Sequence, residues 1–94
     1  MSDVDVRDNP AQQRYELRIG DDVAGFAAYR VRDGVTVVTH SEINRRFRGQ
    51  GLGNVLAERT LDALRAQGAR VHPACPFFAK YVAEHPGYDD IIED

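Results

Sequence analysis

The first half of the chain alternates between apolar and polar positions with the period of a β-strand. Tyr15, Leu17 and Ile19 alternate with polar residues, and denser apolar segments follow over Val23–Arg32 and Val35–Ile43. Turn-forming residues separate these segments, and Asp33-Gly34 in particular is typical of a two-residue β-hairpin. With a short strand over Val4–Asp8, the pattern predicts an antiparallel meander of four strands.

The second half changes to a helical period. Between Leu52 and Gln67 the apolar residues recur at spacings of three and four, which predicts an amphipathic helix ending at Gly68. A short fifth strand is expected around Val71, and a second helix is expected to follow and to stop at Pro86-Gly87. The predicted order is ββββαβα, an α/β (α+β) fold with a mostly antiparallel sheet, and residues 1–94 are expected to form a single domain.

Composition and charge restrict the function classes. The chain is 43% hydrophobic and 29% charged with a net charge of −3, and it has no apolar run near the ~20 residues of a membrane span. These values do not favour general nucleic-acid binding or a membrane partner. The single Cys75 suits a reducing cytoplasm, where we expect the protein to reside. The acidic segment Asp89–Asp94 is expected to be solvated and frayed.

The stretch Arg45–Gly53, RRFRGQGLG, lies between the fourth strand and the first helix. On the glycines alone it is open to two interpretations, a plain turn or a cradle for an anion. Backbone N–H groups at a helix start lack internal acceptors and attract anions, and glycines allow close approach. The dinucleotide pattern would need glycine where the chain has Asn54, and a P-loop would need Gly-Lys-Ser/Thr.

The motif RGQGLG, with Arg48, Gly51 and Gly53, resembles the R/Q-x-x-G-x-G/A acetyl-coenzyme A signature of the GNAT superfamily of N-acetyltransferases. Together with the later segment HPACPFFAKYVAEHPGY, it is similar to the minimal, single-domain branch, which lacks substrate helices between the first two strands. The resemblance implies an N-acetyltransferase with a centrally splayed sheet, in which a bulge separates strands four and five.

The resemblance also implies a cofactor site. The pyrophosphate of coenzyme A would rest on backbone N–H groups of the glycine turn beside Arg48, and the pantetheine arm would bind the backbone of strand four. The cofactor-binding residues expected on this basis are Glu42, Ile43, Arg48, Gly49, Gln50, Gly51, Leu52, Gly53 and Asn54.

Four residues are candidates for the chemistry of acetyl transfer. His40 and Glu42 are two apart on a strand, share a face if the strand is regular, and can act as the general base. Cys75 lies in the P-x-C setting typical of the small branch, and its thiolate could carry the acetyl group. Tyr81 matches the helix tyrosine that can protonate the departing thiolate in the superfamily. Each has a packing interpretation as well, and these alternatives stay open.

Other interpretations compete with the enzyme. Direct attack by an amine acceptor, of an identity that the sequence does not give, is the default mechanism. A non-catalytic acyl-coenzyme A binding or sensing module and a purely structural protein are the alternatives. A metal site is not expected, because Pro73 constrains the chain between His72 and Cys75 and further ligands would have to converge from elsewhere.

Overall fold

The structure of the protein is a computed structural model that describes residues 4–93. Five strands form one sheet in the order β1-β2-β3-β4-β5, with antiparallel pairs except for the parallel pair of β4 and β5. Two α-helices and two 3₁₀ turns make up the other elements of residues 4–93. The elements are β1 (Val4–Asn9), β2 (Arg14–Ile19), β3 (Asp22–Arg32), β4 (Val35–Ile43), a 3₁₀ turn (Arg45–Phe47), α1 (Leu52–Ala66), β5 (Arg70–Pro73), α2 (Pro76–Glu84) and a second 3₁₀ turn (Pro86–Ile91).

The predicted order ββββαβα is confirmed, and the hairpin between β3 and β4 shows why. Asp33 and Gly34 both have positive φ, 53° and 80°, as a type I′ turn requires. That turn twists in the same sense as the flanking strands and so fixes their pairing. The ends of the elements lie within one or two residues of the predicted positions, whereas the two 3₁₀ turns were not predicted.

The hydrophobic core lies on one face of the sheet. Tyr15 and Leu17 of β2, with Val38 of β4, point to this core face and are at most 3% exposed. The same core cluster contains Leu56 of α1 and Phe78 of α2, so both helices cover this face. Burial of this apolar surface, at roughly 25 cal/mol per Å², is the main force that holds the helices on the sheet.

A β-bulge interrupts β4. Ala28 of β3 pairs with His40 and the next residue, Tyr29, pairs with Val38, so Thr39 is an extra residue on β4. The bulge reverses the alternation of side chains: Val38 is buried in the core, whereas the side chain of His40 is 58% exposed on the opposite face. The same reversal turns Ser41 and Ile43 towards the helices.

The sheet also opens at this point. β5 pairs with β4 from Val35 to Val38, and one further backbone hydrogen bond, from Cys75 N–H to the Val38 carbonyl at 2.8 Å, ends the contact. Beyond Val38, β4 runs on to Ile43 without β5 beside it. The centrally splayed sheet that the resemblance implied is therefore confirmed, with the bulge at its origin.

The expectation of a frayed acidic end is wrong up to residue 93, the last that the structure describes; Asp94 lies outside the described residues. Ile91 is 7% exposed in the core, and Ile92 forms a parallel bridge with Val71. Glu93 N–H donates to the Val71 carbonyl at 2.7 Å, and the Glu93 carboxylate accepts from Arg70 at 2.8 Å. The two isoleucines within the acidic run explain the difference, because both lie against the core.

Candidate active site

The glycine turn leads directly into α1. Gly49 and Gly51 have φ values of 84° and 75°, a left-handed conformation that glycine adopts without the steric cost of a Cβ. A Cβ at either position would meet no atom within 4 Å, so conformation and not crowding requires glycine there. The turn opens onto unfilled space at the start of the helix.

The start of α1 is rich in unpaired donors. Gly51 is the N-cap, and since glycine has no side chain it provides no capping hydrogen bond. The N–H groups of the first turn lack intrahelical acceptors, and the helix dipole adds partial positive charge. The predicted cradle, with Leu52, Gly53 and Asn54 in the first helical turn and Gln50 in the preceding loop, therefore has the geometry of an anion site.

Arg48 is hydrogen-bonded to the end of β4. Its Nε donates to the Ile43 carbonyl at 3.2 Å, which ties the loop back to the end of β4. This bond uses an acceptor that the predicted pantetheine site was expected to offer. Arg48 thus links the two predicted parts of the cofactor site, the end of β4 and the glycine turn.

A narrow cleft of about 180 Å³ runs between β4 and the two helices, and we call it the serine cleft. The glycine in the first turn of α1 explains its shape, because a Cβ on Gly53 would lie 3.0 Å from the ring of Phe77. Its walls therefore come from all three elements. It is lined by Ser41, Glu42, Ile43, Gly53, Leu56 and Phe77.

A wider cleft of about 490 Å³ opens at the end of β4 beside the serine cleft, and we call it the arginine cleft. Three arginines line it, together with an aromatic ring and a carboxylate. Glu42 and Ile43 line both clefts, so the end of β4 is the wall between them. The arginine cleft is lined by Arg14, Val23, Gly25, Phe26, Glu42, Ile43, Asn44, Arg45 and Arg48.

His40 and Glu42 form a pair at the wall. His40 Nε2 lies 2.8 Å from Glu42 Oε2, and the two side chains are 58% and 55% exposed. Their shared face, predicted for a regular strand, is confirmed because the bulge at Thr39 precedes both residues. A histidine held by a carboxylate is an arrangement that can accept a proton from a substrate.

Cys75 is 3% exposed and is not among the residues that line the serine cleft. Its Sγ is 3.2 Å from the hydroxyl oxygen of Ser41, so the thiol and a β4 side chain meet across the opening of the sheet. Cys75 is also the N-cap of α2, and its carbonyl accepts from Ala79 N–H at 2.9 Å. The structure therefore places Cys75 close to β4.

Tyr81 lies apart from this group. Its ring stacks on His85 with centroids 3.9 Å apart, and it borders a separate depression that contains Asn54 and Lys80. Burial, then the nearby charges of Glu58 and Asp62, raise the pKa of the Tyr81 phenol. Tyr81 does not line the serine cleft.

Several residues that line these clefts were not found from the sequence. Ser41 was overlooked because a regular strand would turn it away from Cys75, and only the bulge reverses it. Arg14 and Phe26 come from strands distant in sequence, and their approach depends on the pairing of β2 with β3. No pattern in the sequence predicts the arginine cleft.

The residues that the structure describes contain neither a metal-binding cluster nor a membrane-spanning helix. Within residues 4–93, no group of three or more His, Cys, Asp or Glu side chains is arranged to hold a metal ion. None of the helices found in that range is both long and apolar enough to cross a membrane.

Comparisons with known proteins agree with this geometry. Residues 14–91 match the family model of the GCN5-related N-acetyl-transferases. A 47-residue segment, half of this chain, is 34% identical to Protein NATD1 of Xenopus tropicalis, and this match spans 43% of that protein's length. The NMR structure of a GCN5-like candidate N-acetyltransferase from Staphylococcus aureus superposes with a TM-score of 0.71.

That structural match covers 99% of this chain and 91% of the Staphylococcus aureus protein at 21% sequence identity, which establishes a common fold. The family model covers β2 to β5, the glycine turn and both α-helices, including every residue placed in the two clefts. On this evidence, the chain belongs to the family of GCN5-related N-acetyltransferases.

Proposed function

We propose that this protein transfers an acetyl group from acetyl-coenzyme A to an amine acceptor. The observation that carries the proposal is the continuous path from the glycine turn to the opening of the sheet. The turn before Leu52 offers unpaired N–H groups, and β4 runs from there to Ser41 without β5 beside it. A linear cosubstrate with an anionic head and a reactive far end fits such a path.

The pyrophosphate would bind the backbone N–H groups of Gly49 to Asn54. Its charge matches the partial positive charge at the start of α1, and the positive-φ glycines let the backbone approach it closely. Arg48, whose Nε holds the Ile43 carbonyl, would add a charge-assisted contact through its terminal nitrogens. The pantetheine arm would then lie in the serine cleft along Ile43 and Glu42.

The acceptor would approach from the arginine cleft, on the other side of the same wall. In direct transfer, the amine nitrogen forms a bond to the thioester carbonyl carbon, and the carbon–sulfur bond breaks. The proton lost by the amine passes to the His40–Glu42 pair, and the departing thiolate of coenzyme A takes up a proton. Glu42 lines both clefts, which supports its place beside the reacting nitrogen.

A route through Cys75 would add one covalent step. The Cys75 thiolate would form a bond to the acetyl carbon as coenzyme A leaves, and the amine would displace the sulfur afterwards. Ser41, which lines the serine cleft, lies 3.2 Å from the Sγ of Cys75. Only 3% of Cys75 itself is exposed, however. Direct transfer remains the default because it needs no movement of this buried side chain.

Titration of the ¹⁵N-labelled protein with coenzyme A tests the cofactor site. We expect the amide resonances of Gly49 to Asn54 to shift, whereas those of the β3–β4 hairpin at Asp33 and Gly34 stay constant. Unchanged resonances at the glycine turn would refute the cofactor assignment. Release of coenzyme A from acetyl-coenzyme A in the presence of an amine panel then separates an enzyme from a non-catalytic binding module, which would give the shifts without turnover.

A further inference from the structure

The arginine cleft contains a charge arrangement that the acetyl-transfer chemistry does not itself require. Arg14, Arg45 and Arg48 line it, against the single carboxylate of Glu42. Arg48 donates a hydrogen bond to the Ile43 carbonyl and is assigned above to cofactor binding. Two cationic side chains, Arg14 and Arg45, therefore face the acceptor side without a role in the transfer.

Arg14 is held in place by a buried carboxylate. Glu16 is 3% exposed although it lies on the sheet face opposite the core, and it accepts hydrogen bonds from Arg14 Nε at 2.9 Å and Arg18 at 3.0 Å. The amide of Asn9 donates to it at 3.1 Å. Burial opposes ionisation of Glu16, but these hydrogen bonds outweigh burial and hold its pKa below the usual range.

This arrangement fixes the guanidinium of Arg14 at the cleft. Glu16 binds its Nε and so does not occupy the two terminal nitrogens, and the guanidinium carbon lies 4.9 Å from the centroid of the Phe26 ring. An arginine stacked on an aromatic ring and anchored at Nε loses little further freedom when its terminal nitrogens bind an anion. The cleft therefore offers an oriented donor pair.

Arg45 approaches the same cleft from the loop after β4. It begins the 3₁₀ turn Arg45–Phe47, which Asn44 caps by accepting from Arg46 N–H at 3.1 Å. The neighbouring Arg46 lies outside the cleft, with its guanidinium 5.1 Å from the Phe47 ring. Of these two adjacent arginines, Arg45 therefore lines the arginine cleft and Arg46 does not.

We propose that the acceptor is a small primary amine that also carries a carboxylate or phosphate group. The anionic group binds Arg14 and Arg45, and the amine lies at Glu42 on the wall facing the thioester. A cleft of about 490 Å³ has the size of a small-molecule site. A polyamine is disfavoured, because its additional positive charges would face the two arginines. This inference rests on the proposed acetyl transfer.

The test uses amine pairs that differ in one anionic group. We expect kcat/KM with acetyl-coenzyme A to be about tenfold higher or more for 4-aminobutyrate than for butylamine, or for phosphoethanolamine than for ethanolamine. Whichever pair shows the larger ratio identifies the anionic group as carboxylate or phosphate. Ratios near one for both pairs would overturn the proposal.

Matched variants locate the effect in the cleft. Arg45→Gln is expected to reduce the preference for the anionic amine, measured as the ratio of the two kcat/KM values, by about tenfold. Arg46→Gln, one residue away and outside the cleft, should keep the wild-type preference. An equal loss in both variants would indicate general electrostatic attraction and contradict a built site.

The measurements distinguish failure of the proposed acceptor class from failure of the proposed acetyl transfer. Acetylation of neutral and anionic amines at equal rates would leave the acetyltransferase function intact and refute the acceptor class. Preferential acetylation of a peptide N-terminus, with no activity on small amines, would likewise refute it. If no amine is acetylated although coenzyme A shifts the amides of Gly49 to Asn54, the transfer reaction and the acceptor class both fail.

Discussion

The hydroxyl of Ser41 and the thiol of Cys75 lie 3.2 Å apart, although the two residues are 34 positions apart in the chain. Their meeting depends on two backbone features. The bulge at Thr39 turns Ser41 towards the helices, and the hydrogen bond from Cys75 N–H to the Val38 carbonyl holds the start of α2 against β4. The contact therefore links β4 to the start of α2 at the point where β4 and β5 stop pairing.

Replacement of Cys75 distinguishes direct transfer from the covalent route. Since direct attack needs no thiol on the protein, we expect Cys75→Ala to keep kcat within about threefold. Loss of the buried sulfur should lower the free energy of unfolding by about 1 kcal/mol. Steady-state release of coenzyme A and urea unfolding measure the two effects.

A covalent route gives different results in the same experiments. Intact-mass analysis after mixing with acetyl-coenzyme A, without acceptor, would reveal an acetylated wild-type protein that is absent from Cys75→Ala. Loss of activity in Cys75→Ala with unchanged stability, together with that acetylated species, would contradict direct transfer. Ser41→Ala serves as the companion variant, because it removes the partner of the thiol and leaves the thiol itself.

The His40–Glu42 pair is expected to matter for turnover and not for folding. Loss of a general base typically reduces the rate by 10²-fold or more, so we expect Glu42→Gln to lower kcat by roughly that factor. Since the side chain is 55% exposed, the free energy of unfolding should change by less than about 0.5 kcal/mol. Glu58→Gln, at an exposed site on α1 outside both clefts, is the control and should keep full activity.

Two glycines at opposite ends of α1 separate strain from binding. Gly51 and Gly68 have nearly equal φ values, 75° and 73°, and a Cβ at either one meets nothing within 4 Å. Alanine should therefore lower the free energy of unfolding by about 1–2 kcal/mol at both positions. Only Gly51→Ala should weaken coenzyme A binding, by about fivefold or more, because it shifts the N–H groups of the cradle. Equal affinities in the two variants, measured by calorimetry, would argue against that cradle.

The sequence predicted those features that depend on local patterns. Asp33-Gly34 specifies its turn through backbone conformation, and the three-and-four spacing after Leu52 specifies a helix wherever it packs. The glycine turn was likewise recognisable, because a strand, three glycines and a helix follow one another directly. These elements supply the whole predicted order of the fold and the candidate cofactor site.

The features that could not be predicted depend on partners distant in the chain. The resemblance implied a bulge, but its position at Thr39 is defined only by the pairing of β4 with β3. That position decides which way Ser41 and His40 point. The burial of Glu16 likewise depends on Arg14, Arg18 and Asn9 arriving together on paired strands. The sequence of β2 alone would predict that this carboxylate is exposed to solvent.

The buried carboxylate of Glu16 should make stability depend on pH in acid. Hydrogen bonds from Asn9, Arg14 and Arg18 lower its pKa in the folded state, so the ionised form stabilises the fold. This contribution is fully present above the unfolded-state pKa, about 4.3 for glutamate, and is lost as the pH falls through the lower folded-state pKa. Glu16→Gln should therefore be destabilising at neutral pH, by about 1.5–3 kcal/mol.

Urea unfolding of wild type and Glu16→Gln at pH 7 and at about pH 3 measures this contribution. The difference in free energy of unfolding between the two proteins should shrink on acidification, because protonated Glu16 no longer attracts the two arginines as a charge. Asp5→Asn is the control: Asp5 pairs with Arg7 at 50% side-chain exposure, and such exposed pairs contribute only ~0–1 kcal/mol. A difference for Glu16→Gln that stays constant between the two pH values would show that the carboxylate acts through packing and neutral hydrogen bonds, since only its charge titrates over this range.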